Sequence, residues 1–403
     1  MNVEQKSGKA LWRGLALNGV KEKNGQALWS GFKWDIRAYT MIIALLAIWL
    51  IFVILTEGRF LTPRNLSMLT RQVSITAILA VGMVLVIVAG HIDLSVGSVA
   101  GFVGAVVAIL QLWHHWETVP SILAGILVGL LIGCWQGFWI AYRGVPAFIV
   151  TLSSMLVFRG GILLITKGIT ISPLRPDFKV IGQGYIPAAW SIALGIVAAL
   201  VFIYMTLNNR RSRLKYELPV SPWTVEILKI LAVLAFIATF IAVMIAYEGI
   251  PIPVLIVLFL VILFTFVANN TTFGRYVYAI GGNREAAALS GINIKRTNMS
   301  IFLIMGLLSA LAGIVLTSRL DAATTSAGNL FELDAIASAI IGGTSTLGGE
   351  GTIPGAVIGA LVMASIDNGM SLLNIDYSIL VIVKGLVLVL AVWVDIATKK
   401  RTR

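Results

Sequence analysis

Charge is what this chain has least of. Of its 403 residues, 12% are Asp, Glu, Lys or Arg, about half the usual soluble share of roughly 25%. Hydrophobic residues make up 58%, and the mean hydropathy is +0.95. A soluble domain of this size has nowhere to bury so much apolar surface, so lipid must be the solvent for most of the chain. Cysteine is nearly absent. Cys134 stands alone in an apolar run, which excludes an intrachain disulfide and a Cys-based metal framework. The three histidines, His91, His114 and His115, are too scattered to form a metal-ligand pattern.

Several motifs are missing as well. There is no GxxxxGK[ST] loop to cradle a nucleotide phosphate. The one Gly-Lys pair, Gly8-Lys9, is followed by Ala10, so no hydroxyl is placed to meet Mg²⁺. ATP is therefore hydrolysed by another chain, or it is not the energy source. No Gly-x-Ser-x-Gly elbow, HExxH helix or Cys/His ligand set occurs, which argues against an enzyme.

The net charge is +12 and the pI about 9.9. Such an excess invites a nucleic-acid reading, but the basic residues lie between apolar runs, as in cytoplasmic loops facing a membrane. Nucleic acid is not an expected partner; the lipid bilayer is. The first apolar run starts near Tyr39, too late for an ordinary signal peptide, so an uncleaved first span is expected.

A bilayer core of about 30 Å takes roughly 20 apolar residues as helix. Runs of about that length occur near 39–56, 67–90, 95–113, 119–142, 146–166, 188–207, 224–246, 250–268, 298–318, 354–373 and 376–396. A shorter run, 333–345, ends in glycines. With an inside N-terminus, alternating spans place twenty of the thirty Lys and Arg inside. That bias predicts a multi-pass protein with both termini cytoplasmic and an even number of crossings. Twelve requires the short run to cross or nearly cross. The outer loop 167–187 holds Pro173, Pro176, Gly182 and Gly184 and is not expected to form a regular helix. The residues 208–217 read as a basic inside loop.

Three segments stand out. In the inside loop 269–298, Gly281 and Gly282 suit a tight turn. Asn283 suits an N-cap, and Glu285 lies in the first helical turn. The run 284–290 favours helix, and Gly291 suits its stop. Its small Ala face fits a partner's groove; an ordinary surface helix is the plainer alternative. In the second segment, Gly90 to Ser98, a polar break separates two apolar runs, with Asp93 placed to cap the following helix. In the third, Gly342, Gly343, Gly348, Gly349 and Gly351 break a short helix that carries Asp334, and a Gly/Ala-rich helix follows. Irregular backbone at membrane depth is tolerated against protein or a water-filled cavity. Asp93, Ser95, Gly97, Asp334, Gly342, Gly343, Thr344, Gly348, Gly349 and Gly351 are therefore candidate pathway or gating residues. A capped turn or plain close packing remains the alternative for both breaks.

These residues carry a resemblance. YAIGGNREAAALSGINIKRT resembles the cytoplasmic coupling loop of the ribose/xylose/arabinose/galactose family of ABC permeases. ILAVGMVLVIVAGHIDLSVGSVAG, VTLSSMLVFRG with Arg159, LDAIASAIIGGTSTLGGEGTIPGAVIGALVMASIDNGMSLL and AVWVDIATKKR are similar to further signatures of that family, in the same order. Together they cover most of residues 60–403. The extra material at 188–248 resembles a two-helix insertion of the D-xylose branch.

The resemblance implies an all-α polytopic membrane protein: a ten-helix permease core of the vitamin-B12-importer style, plus about two helices and short broken ones. It implies an N-terminal tail at 1–38, a single permease domain at 39–397 and a short tail at 398–403. It implies a bacterial inner-membrane subunit of a sugar importer, working as a homodimer with a cytoplasmic ATPase that holds ATP and Mg²⁺ and a periplasmic sugar-binding protein. No cofactor is implied for this chain. The coupling role falls on Gly282, Asn283, Glu285, Ala286, Ala287, Ser290 and Gly291. Arg64, Lys167, Arg175 and Arg319 are candidates on the outer face for docking the binding protein. A secondary, ion-coupled sugar carrier, a non-transporting scaffold, or another pentose or hexose as cargo are the alternatives.

Overall fold

A computed structural model of the chain describes residues 36–400. The expected N-terminal tail lies outside the described residues as far as residue 35, and so do residues 401–403.

Among the described residues there are fifteen α-helices: α1 (Ile36–Leu55), α2 (Pro63–Val88), α3 (Val96–Leu112), α4 (Thr118–Ala141), α5 (Ala147–Thr166), α6 (Pro176–Gln183), α7 (Ala188–Lys215), α8 (Trp223–Ile245), α9 (Ile252–Asn270), α10 (Thr272–Gly282), α11 (Arg284–Leu289), α12 (Ile294–Leu320), α13 (Phe331–Ile341), α14 (Ile353–Leu372) and α15 (Tyr377–Lys400). Strands β1 (Tyr185–Ile186) and β2 (Ile250–Pro251) form a two-residue antiparallel pair. The chain is thus all-α and polytopic. Eight helices are long and apolar enough to cross a membrane, and α1, α3 and α15 contribute shorter apolar stretches. These eleven match the eleven long runs. Residues 197–236 group as one compact unit, and residues 37–196 with 237–400 as another.

The larger unit is built around α2. Pro63 starts this helix at a position where no amide donor is needed. Gly90, at φ +82°, follows its end. From Val73 to Ala89 every residue is buried, so α2 is apolar all round and packs on every side. In lipid no hydrophobic force drives helices together, so close approach through small residues does the work. The pair α4 and α12 shows this. Gly125, Gly129, Gly133 and Gly137 recur every fourth residue on α4 and so share one face. A methyl at Gly129 would sit 2.5 Å from the Ala310 side chain and 2.6 Å from the Gly306 carbonyl. One at Gly133 would be 3.1 Å from the Leu303 Cα.

Two expectations need correction. The outer loop contains α6: Pro176 occupies its first turn, Asp177 favours the helix dipole, and Gly184 follows the end. Pro176 and Gly184, two of the residues that argued against a helix, are its start and stop, and Gly182 sits within its last turn. The basic stretch 208–215 is not loop but the last two turns of α7, where Arg and Lys are good helix formers and complement the dipole. The short run is α13, with 11 residues. At 1.5 Å per residue it spans about 16 Å, roughly half a bilayer core, and the segments 321–330 and 342–352 on either side of it carry the chain the rest of the way from the Arg319 end of α12 to the Val88 end of α2.

Candidate functional site

The expected coupling loop, 269–298, is more structured than its sequence suggests. Thr271 caps α10 by accepting a hydrogen bond from the Gly274 amide at 3.2 Å. Gly281 and Gly282 do not make a tight turn; they are the last residues of α10. Gly281 is required there because any side chain would run into the Val88 carbonyl at the end of α2 and lie 2.6 Å from the Gly349 amide. Asn283 caps α11 as expected, its Oδ1 accepting from the Ala286 amide at 2.9 Å. Glu285 sits in the first turn. Ser290 closes the last turn and bonds back to the Ala286 carbonyl, and Gly291 follows at φ +80°.

The expected docking face is rearranged. Ala287 is buried at 4% exposure and packs the helix onto its own protein. The outward surface is formed by Arg284, Glu285, Ala286, Ala288 and Leu289. Leu289 is 90% exposed, and sequence reasoning missed it. A leucine ending a run of alanines in a polar loop was the available signal.

The three segments singled out in the sequence meet. The Gly349 amide donates to the Val88 carbonyl at 2.9 Å, tying the 342–352 break to the end of α2. Gly349 holds φ +75°, a conformation costly for other residues. Tyr278 of α10 donates its hydroxyl to the Gly351 carbonyl at 2.7 Å. Burial pushes the Tyr278 phenol above its usual range, which keeps it a donor. Gly342 and Gly355 press backbone to backbone, joining α13 to α14. Gly343 and Gly348 have positive φ in the same break. Thr344 is fully buried beside Gly351. A cavity of about 420 Å³ lies at this end, lined by His91, Ile140, Pro146, Phe148 and Arg284 among others, so α11 and the 89–95 break share it.

Asp93 does not cap α3 directly; Ser95 is the residue before the helix. Asp93 is 1% exposed, and its Oδ1 accepts from the Ser95 amide at 2.8 Å and the Ser95 hydroxyl at 2.6 Å. Gln136 of α4 donates to the Ser95 Oγ at 2.7 Å. One turn on, Gly97 lies against the Gly328 backbone. Gly328 precedes α13, so the N-termini of α3 and α13 approach each other there. Arg159 of α5 braces this meeting point by donating to the Ala327 carbonyl at 3.0 Å.

Asp334 belongs elsewhere. It accepts from Lys384 of α15 at 2.9 Å, and Lys384 also pairs with Asp367 of α14 at 2.8 Å. Two carboxylates and one ammonium thus form a buried cluster across three helices. Of these three, only Asp334 was an expected functional residue, as part of the pathway.

The four basic candidates lie at the far end. α12 starts beside α11 and runs 27 residues, about 40 Å, to Arg319. Arg64 is exposed in the first turn of α2. Lys167 closes α5 with its ammonium 5.7 Å from the Trp113 ring. Arg175 pairs with Asp177 at 3.4 Å. Arg319 is half-buried against Gly182 of α6. Arg64 is thus freely presented, Lys167 is exposed beside Trp113, and Arg175 and Arg319 are partly engaged.

With this geometry in place, the comparisons with known proteins gain meaning. Residues 65–392 match a family described as the branched-chain amino acid transport system / permease component. The xylose transport system permease protein XylH of Escherichia coli is 46% identical over 91% of this chain and 94% of its own length. Its counterpart in Haemophilus influenzae is also 46% identical, over 91% of this chain and 98% of its own. The ribose import permease protein RbsC of Bacillus subtilis is 36% identical over 87% of this chain and 90% of its own. No solved structure matches. The chain therefore belongs to this family of membrane transport permeases. It lies in the ABC branch that includes the xylose and ribose permeases.

Proposed function

We propose that the chain is the membrane-spanning subunit of a binding-protein-dependent ABC importer for D-xylose, driven by ATP hydrolysed on a separate subunit. The observation that carries this reading is the contact of α10 with both breaks, through Gly281 at Val88 and Tyr278 at Gly351. A displacement of α11 is thereby passed in one step to the end of α2 and to the loop before α14. Gly282, Asn283, Glu285, Ala286, Ser290 and Gly291 form and place the coupling helix, Ala287 anchors it, and Leu289 is its exposed anchor for the ATPase.

In this reading two copies of the chain sit in a bacterial inner membrane with α11 and both termini on the cytoplasmic side. A periplasmic sugar-binding protein docks at the end bearing Arg64 and Lys167 and releases a neutral sugar. Closure of the ATPase around ATP and Mg²⁺ moves α11. The breaks around Asp93–Gly97 and Gly342–Gly351 then alternate between outward and inward openings. An uncharged cargo needs no ion pair along its path. The 46% identity to xylose permeases favours xylose over ribose.

The test is Leu289→Asp in vesicles supplied with the ATPase and binding protein. Loss of one buried interface anchor predicts an uptake drop of about 30-fold, with membrane insertion unchanged. Unchanged uptake removes the coupling role. Arginine at Ala287 is a poorer probe, because it disrupts the loop's own packing.

One observation favours a second reading. The Asp334–Lys384–Asp367 cluster puts ionisable groups deep among the helices, where ion-coupled carriers keep their relays. A secondary carrier predicts uptake that an uncoupler abolishes and that survives loss of the ATPase.

A further inference from the structure

The compact unit 197–236 contains a cavity that the transport reading does not use. It has a volume of about 490 Å³ and lies between the last turns of α7 and the first turns of α8. Phe202, Met205 and Val225 give it apolar walls, and Arg210, Arg213 and Lys229 give it positive ones. The spacing explains the convergence. Residues 202, 205, 206, 209, 210 and 213 recur at three and four along α7 and so share a face, as do 225, 226 and 229 on α8.

The three cations are not equivalent. Arg210 is engaged: it pairs with Glu226 at 2.6 Å, donates to the Ser221 carbonyl at 2.8 Å, and stacks 4.0 Å from the Trp223 ring. It neutralises the one acidic group of the cavity and fixes the wall. Arg213 and Lys229 are exposed, and neither has an ion pair among the described residues. Two net positive charges therefore face the cavity. Both helices are exposed along nearly all of their apolar stretches, as lipid-facing helices are. The cavity lies where those apolar faces give way to basic residues.

We infer that this cavity is a binding site for the phosphate of an anionic phospholipid, with Arg213 and Lys229 holding the headgroup and Phe202, Met205 and Val225 receiving the start of an acyl chain. Phosphate suits a guanidinium fork with an adjacent ammonium. The apolar wall beside the cations selects a lipid over a free anion, which has nothing to place there.

The experiment titrates the purified full chain in detergent with dioleoylphosphatidylglycerol, or with dioleoylphosphatidylcholine, and counts bound lipid by native mass spectrometry. Phosphatidylglycerol is expected to bind more tightly. R213Q/K229Q is expected to weaken it by about 25-fold, about fivefold for each cation removed, with phosphatidylcholine unchanged. R213K/K229R, which keeps both charges, should retain the preference. Both side chains are exposed, so equal melting temperatures are expected for the variants. Undiminished phosphatidylglycerol binding by R213Q/K229Q overturns the proposal. So does loss of the preference in R213K/K229R. Displacement of the lipid by excess inorganic phosphate overturns the choice of lipid as occupant.

Discussion

Two buried polar centres in the larger unit solve the same problem differently. Around Ser95, one carboxylate accepts an amide and a hydroxyl, and Gln136 completes the set. Its carboxylate is satisfied two residues away, and the one distant partner, Gln136, joins a single neighbouring helix. Around Lys384, one ammonium holds two carboxylates from two other helices. Its partners are 17 and 50 residues away in sequence, so it joins α13, α14 and α15. The first centre is hydrogen-bonded and tolerant of small losses. The second depends on a charge balance that is already uneven, and removing its hub leaves two like charges without compensation.

Lys384→Met should break that contrast most strongly. It strands Asp334 and Asp367, and a loss of about 3–5 kcal/mol is expected. Thermal unfolding in detergent measures it, and K384M/D334N/D367N should recover most of the loss. Gln136→Leu should cost about 1 kcal/mol, because it removes one donor to Ser95 while the Asp93 contacts remain. If Gln136→Leu matched Lys384→Met, the two centres would not differ in kind. Asp367→Asn should change stability by less than about 1 kcal/mol, since it leaves one carboxylate for one ammonium. A loss near that of Lys384→Met would show that Asp367, not Asp334, is the principal partner.

The helices were largely legible in the sequence because lipid imposes a length and an apolar composition on each of them. α2, α4, α5, α9 and α12 fall within a few residues of the runs that announce them. So does the N-cap at Asn283, a local signal of residue type. What the sequence hid was contact. Asp334, Asp367 and Lys384 each look like an isolated charge in an apolar helix until three helices are packed together. Gly281 reads as a turn glycine, yet it is there because the Val88 carbonyl arrives from 193 residues earlier in the chain. Pro176 and Gly184 were misread because the same residues that forbid a helix's interior mark its ends.

The glycine face of α4 has a consequence for movement. At Gly129 and Gly133 the backbone of α4 comes against the backbone of α12 at Gly306, Phe302 and Leu303, with only the Ala310 methyl between them. In the proposed transport cycle, so close a contact has the two helices travel as one strut. In that proposed cycle, the compliance falls to the places where helices stop short, at 89–95 and 342–352.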